Sequence, residues 1–304
     1  MTPESSSGRI ADRPRLFSRR IPPVPQQWKR AEPDLAAIRP HFDTEKGARD
    51  FLSFPIVGPE GRWAYMPSGK TGTTSALQGL FELEFGVPLA TRIAAHDNLN
   101  RDQAVHRLTQ AGVFLRLAAV PGRKGPMALL DDTVRLATVR HPLARAISGF
   151  RYLCRSHAEA SPQFQVERLR LAARTGFDWD RHPETAEGLV RFLDHLAAEI
   201  AEDGVEAMDR HFRPQVANVR PDLFRPDITG RTEDLPRFFA RIASRLGKPV
   251  PAPSASRPLN VQGAPPDTMV AEPSVRRRVL DLFAADFEAF GYEIDSPLHT
   301  DTAT

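Results

Sequence analysis

The sequence predicts an α/β fold: a central, mainly parallel sheet with helices on both faces, in three layers. Three observations carry that expectation. Short apolar runs alternate with helical patterns through the middle of the chain. Two of those runs stop at small or basic residues that lead straight into a helix. The chain has 304 residues, 41% of them hydrophobic, enough to bury a core, and it shows no internal repeat.

The elements follow in order. Of 28 prolines, ten precede Ser68 and eight follow Lys248. Residues 1–50 are therefore expected to be an irregular, Pro- and Arg-rich arm, residues 51–295 a single α/β domain, and 296–304 a tail. Arg62–Met66 (RWAYM) predicts a strand and Thr73–Phe85 a helix, with Leu77, Leu80, Phe81 and Glu84 at helical spacing and Gly86 as the stop. Further strands are expected at Leu89–Ala94, Val113–Val120 and Val134–Val139. Helices are expected at Asp102–Gln110, Pro142–Arg155, Ala186–Glu202, Glu233–Leu246 and Ser274–Phe290, with 249–272 an extended linker.

Composition excludes several classes. The chain has 41 basic and 38 acidic side chains, a net charge of +3, and the two signs are interspersed, so the concentrated basic face of a nucleic-acid binder is missing. No stretch of 18 apolar residues predicts a transmembrane helix, and the N-terminus lacks the apolar core of a secretory signal. Cys154 is the sole cysteine, which excludes an internal disulfide and a cysteine-cluster metal site and suits a reducing compartment. A cytoplasmic protein is expected. Oligomeric state is not encoded legibly.

Chemistry concentrates at two strand-to-helix turns. In Met66-Pro-Ser-Gly-Lys-Thr-Gly-Thr-Thr-Ser75, Gly72 and the helix start at Thr73 offer backbone N–H groups, Lys70 adds a cation, and Thr71, Thr73, Thr74 and Ser75 add hydroxyls. Together they suit a phosphate or sulfate. The second turn, Val139-Arg140-His141-Pro142, opens a helix on which Ser148 lies two turns along. Arg140 and Ser148 are placed to reach one anion. Leu143, Ile147, Phe150 and Cys154 form the core stripe of that helix, with Arg145, Tyr152 and Arg155 across from it. A kinase-like phosphotransferase using ATP and Mg²⁺ is the alternative. Against it, position 64 is alanine rather than glycine, and the strand Val134–Val139 runs into Arg140 rather than an acidic metal ligand.

Taken together, Lys-Thr-Gly-Thr-Thr after the first strand and Val-Arg-His-Pro-x2-Arg-x2-Ser after a later one resemble the two donor-binding signatures of sulfotransferases. His211-Phe-Arg-Pro-Gln215, Gly230-Arg-Thr-Glu-Asp-Leu235 and Asp286-Phe-Glu-Ala-Phe-Gly-Tyr292 resemble, in order, elements of the family-2 carbohydrate sulfotransferases. Ser68-Gly69, inserted between Pro67 and Lys70, departs from that family's first motif. The resemblance implies a P-loop-like sulfotransferase fold with 3′-phosphoadenosine 5′-phosphosulfate (PAPS) as co-substrate; without the signal or anchor of Golgi-resident relatives, the expected enzyme is cytosolic and bacterial. It implies no metal, and an acceptor hydroxyl on a glycan or other small molecule. By the same resemblance Lys70 and the Thr71–Ser75 turn would hold the 5′-phosphosulfate, and Arg140 and Ser148 the 3′-phosphate. Transfer to a hydroxyl calls for a general base. His96, after the strand expected at Leu89–Ala94, is the first candidate and His211 the second.

Overall fold

The structure is a computed structural model, and it describes residues 21, 23–91, 93, 99, 103–122, 124–251 and 267–298. Among them, α1 (Val24–Ile38) and α2 (Glu45–Ser53) precede β1 (Ile56–Val57), β2 (Trp63–Met66) and α3 (Thr73–Phe85). Next come α4 (Gln103–Arg107), β3 (Leu115–Arg116), α5 (Pro126–Asp131), β4 (Val134–Val139) and the long α6 (Pro142–Ala158). The remainder is α7 (Gln165–Thr175), α8 (Ala186–Asp203), α9 (Gln215–Val219), β5 (Ile228–Arg231), α10 (Leu235–Leu246), α11 (Asp267–Ala271), α12 (Pro273–Leu282) and α13 (Ala284–Phe290). The class is mixed α/β, sheet strands flanked by helices, as expected. Chain contacts divide it into two compact units, Met1–Tyr65 with Arg107–Val134, and Met66–His106 with Arg135–Thr304.

In the first unit β1 pairs antiparallel with β2 on one side and with β3 on the other, Ile56 facing Tyr65 and Arg116. Fully buried Trp63 stands edge-on to Phe114 at 5.1 Å. A side chain at Gly58 would meet the Trp63 ring at 2.5 Å, so only glycine fits there. Arg30 of α1 donates to the carbonyls of Ala118 and Val120, and Asp34 accepts from the Met127 N–H near the start of α5.

The second unit is built on the parallel pair β4–β5, with Leu136 opposite Ile228 and Val139 opposite Arg231. The α10 helix follows β5 directly and packs on it; a Cβ at Gly230 would lie 2.4 Å from the Phe238 ring. The apolar stripe of α6, including Leu143, Ile147, Phe150 and Cys154, is buried together with Leu189, Phe192, Leu193, Phe212, Val279 and Phe283. Each such side chain contributes about 1.5–3 kcal/mol by leaving water.

Several boundaries differ from expectation for local reasons. The arm expected to be irregular is helical from Val24 to Ile38 and again from Glu45. Proline sits in the first turn of α1, where its missing N–H costs nothing, and Pro33 is accommodated inside. No strand forms at 89–91 or 93, where none of these side chains is buried and Ile93 is 40% exposed. The run Val113–Val120 keeps only Leu115–Arg116 as strand. Leu117, Ala118 and Ala119 coil into a 3₁₀ turn and are all buried, which explains an apolar run without alternation. The expected helix 102–110 is described over Gln103–Arg107. The helix expected over Ser274–Phe290 breaks into α12 and α13 at Phe283. No helix among the described residues is long and apolar enough to cross a membrane.

Candidate active site

The first turn is a loop whose Pro67, Ser68 and Gly69 carbonyl oxygens are all engaged. The Pro67 carbonyl accepts from Arg210 at 2.8 Å and the Gly69 carbonyl from Arg145 Nε at 2.9 Å. The Ser68 carbonyl accepts from the hydroxyls of both Thr71, at 2.9 Å, and Thr73, at 2.7 Å. Asn218 Nδ2 donates to Ser68 Oγ at 3.1 Å. The two residues that extend the loop are therefore its anchors. Ser68 is buried, and a side chain at Gly69 would strike the backbone of Arg210 and His211 at about 2.6–2.7 Å.

With its acceptors occupied, the loop offers donors. Lys70 and Gly72 both take left-handed backbone, φ 64° and 74°, curving the chain around the start of α3. No side chain caps that helix, and its first bond runs from Ala76 N–H to the Gly72 carbonyl. The N–H groups of Thr73 and Thr74 thus have no partner within the helix. Among the hydroxyls expected to bind a ligand, Thr71 and Ser75 are buried. Thr71 also pairs with Thr138 at 3.2 Å, so its hydroxyl holds the loop together. Thr73 is likewise turned to Ser68. Thr74 is half-buried and makes no side-chain hydrogen bond among the described residues.

The second turn is built from afar. Gln215 clamps the backbone of Arg140 on both sides: its Oε1 accepts from the Arg140 N–H at 2.8 Å and its Nε2 donates to the Arg140 carbonyl at 2.9 Å. Asp286, fully buried, accepts from the N–H groups of Gln215 and Val216, each at 2.8 Å, which fixes α9. The next residue, His141, caps α6 through Nδ1 and bonds the Glu293 carbonyl through Nε2. Its N–H donates to Glu233, which also accepts from the Tyr292 hydroxyl at 3.0 Å. Gln215, Glu233, Asp286 and Tyr292, drawn from three separate downstream stretches, thus converge on one turn. The half-buried Arg140 side chain makes no hydrogen bond or ion pair among the described residues, and Ser148 none with its hydroxyl.

Between the turns lies an excess of positive charge. Arg145, expected on the open face of α6, is 1% exposed and bridges the carbonyls of Gly69 and Arg210. Lys70 Nζ sits 3.8 Å above the Tyr152 ring and forms no ion pair among the described residues. Burial, together with the charges of Arg140, Arg155 and Arg145, pushes its ammonium down to about 7. Arg155 lies against the same Tyr152 ring and donates to the Leu99 carbonyl, while its Nε is buried without a partner. Three arginines thus act on Lys70; Glu233 offsets part of the charge of Arg140, and Asp286 and Asp209 part of that of Arg145, while Lys70 has no such partner. That arrangement recruits anions, and the donor set suits two phosphate-like groups.

Comparison with known proteins agrees with this chemistry. A model of the sulfotransferase family matches residues 95–293. The chain belongs to the sulfotransferase family. No curated protein and no solved structure matches it at a significant level. The matched region holds Arg140, Ser148, His211, Gln215, Glu233, Asp286 and Tyr292, whereas the Lys70 loop precedes it.

Two sequence candidates for the base separate here. His96 lies outside the described residues. His211, on the segment that grips the Lys70 loop, has its Nδ1 2.7 Å from Asp209 Oδ1. Among the described residues one group of metal-type ligands comes together, Glu167, His195 and Glu199 between α7 and α8. Arg174 donates to His195 Nδ1 at 3.1 Å, which leaves the hydrogen on Nε2, facing Glu167 at 3.2 Å. The trio is a buried bridge between two helices, with the imidazole in the tautomer that cannot ligate a metal through Nε2.

Proposed function

We propose that this sulfotransferase takes its sulfuryl group from PAPS and passes it to a hydroxyl of a carbohydrate or other hydroxylated small molecule. The observation that carries the reading is the clustering of Lys70, which has no acidic partner among the described residues, with Arg140, Arg145 and Arg155 between two strand-to-helix turns. The first turn, with the Thr73 and Thr74 N–H groups, the Thr74 hydroxyl and Lys70, is suited to the 5′-phosphosulfate. The second, with Arg140 and Ser148, is suited to the 3′-phosphate. In-line transfer of a sulfuryl group asks the protein for positioning and for stabilisation of charge on the leaving phosphate. Lys70 supplies that charge, aimed by its left-handed backbone and by the Tyr152 ring. The Gln215 clamp sets the register of Arg140 against the first turn. Buried Cys154 suits a reducing compartment such as the bacterial cytoplasm.

Calorimetric titration tests the reading, with adenosine 3′,5′-bisphosphate and adenosine 5′-monophosphate run in EDTA and Mg·ATP run in a parallel buffer without EDTA. The expected result is metal-independent binding of the bisphosphate in preference to the other two. Binding of Mg·ATP alone would overturn it and favour a kinase-like phosphotransferase.

A further inference from the structure

His211 brings together three features of a proton acceptor. Its Nδ1 faces Asp209 Oδ1 at 2.7 Å, and the same carboxylate oxygen accepts from the His211 backbone N–H at 2.8 Å. A carboxylate only accepts, so the neutral imidazole carries its hydrogen on Nδ1 and its lone pair on Nε2. Among the described residues Nε2 has no hydrogen-bond partner. The side chain is 35% exposed, open enough to meet a solute.

Its surroundings place the His211 ring beside the Tyr152 ring and the Lys70 loop. The His211 ring packs on Tyr152 of α6 at 5.9 Å, the ring that carries Lys70 Nζ, and edge-on to Phe164 at 5.3 Å. The His211 backbone abuts Gly69 so closely that a Cβ there would lie 2.6 Å from its Cα. The groups facing the imidazole are therefore Asp209 from its own segment, Tyr152 with Lys70 above it from α6 and the loop, and the apolar rings of Phe164 and Phe212. Burial alone would push Asp209 up, yet the hydrogen bonds from the His211 ring and backbone and the charge of Arg213 hold its carboxyl below the usual range, so it stays ionised.

We propose that His211 is the catalytic base for the acceptor hydroxyl and Asp209 its positioning residue; this rests on the sulfuryl-transfer reading above. The acceptor O–H proton passes to His211 Nε2 while that oxygen's electron pair forms the bond to sulfur. The sulfur–oxygen bond to the donor phosphate breaks, and the phosphate leaves with that pair next to Lys70. Asp209 keeps its bond from Nδ1–H throughout and stabilises the imidazolium.

Water serves as the probe acceptor, because a base so placed activates water as well as any hydroxyl. Release of ³⁵S-sulfate from labelled PAPS is measured for the full chain and for His211→Ala, His211→Asn, Asp209→Asn and His96→Ala. Binding of adenosine 3′,5′-bisphosphate is followed by calorimetry in parallel. Both His211 variants are expected to lose about 100-fold or more in rate while binding the bisphosphate within about twofold of the parent. Asp209→Asn is expected to move the acidic limb of the pH–rate profile to lower pH, which a merely structural carboxylate would not do. Unchanged release in His211→Ala, with loss confined to His96→Ala, would overturn the assignment and leave the sulfuryl-transfer reading intact. So would a parent rate no faster than buffer with binding preserved. Failure of the parent chain to bind the bisphosphate would overturn both.

Discussion

The turn from β2 into α3 and the turn from β4 into α6 face the same cation cluster but are stabilised differently. The first combines near and distant contacts: Thr71 and Thr73 close onto the Ser68 carbonyl within five residues, while Arg145, Arg210 and Asn218 hold Gly69, Pro67 and Ser68 from 76, 143 and 150 residues away. The second is non-local. Gln215 reaches the Arg140 backbone from 75 residues away, and Glu233 reaches His141 from 92. A turn held from elsewhere has its register set by the whole second unit, and its fidelity depends on residues that never touch the ligand.

The comparison can be broken first at Lys70. Lys70→Ala removes the one cation aimed by the first turn, and turnover with labelled PAPS should fall on the order of 10²–10³-fold, the scale of a lost transition-state donor. Next is Gln215→Ala, which strips the Arg140 N–H and carbonyl of their partners inside the protein. We expect a stability loss of about 1–3 kcal/mol by thermal unfolding and weaker binding of adenosine 3′,5′-bisphosphate, with 5′-monophosphate binding much less affected.

A smaller effect separates the turns by pH. With burial and three arginine neighbours pushing Lys70 down to about 7, its charge is present below that pH and lost above it until an anion raises the value. Affinity for the bisphosphate should therefore decline between pH 7 and 8.5, at most about tenfold per pH unit. Lys70→Arg, which stays charged, should flatten that decline. The smallest contrast lies within the first turn. Thr71→Val should cost about 1 kcal/mol of stability through the lost Ser68 and Thr138 contacts, whereas Thr74→Val should leave the melting temperature in place and lower anion affinity a few-fold.

The same contrast decides what was legible in the sequence. The helix at Thr73–Phe85 and its glycine–lysine–threonine approach are written in adjacent residues, so turn chemistry and periodicity locate them. The strand Val134–Val139 and the helix after it are legible for the same reason. Arg145 was not: a helical wheel puts it on the open face, and only the fold shows that the Lys70 loop and the Arg210 carbonyl close over it. Gln215, Glu233, Asp286 and Tyr292 were visible as family-like text, but their convergence on Arg140 and His141 depends on long-range contacts that spacing cannot encode. A hydroxyl near an anion site likewise invites a ligand role, yet in the fold those of Thr71 and Thr73 turn to the Ser68 carbonyl. The N-terminal arm failed for another reason: proline frequency suggests an irregular arm, but one proline of α1 sits in its first turn and Pro33 is accommodated inside it.

The most direct test of the two-turn account is a set of calorimetric affinities for adenosine 3′,5′-bisphosphate and adenosine 5′-monophosphate, measured on the parent chain, Lys70→Ala and Arg140→Ala. The account predicts that Arg140→Ala abolishes the preference for the bisphosphate while leaving monophosphate binding nearly as it was, and that Lys70→Ala weakens both ligands alike. Equal losses for both ligands in both variants would contradict it, because the two turns would then form one undivided anion site.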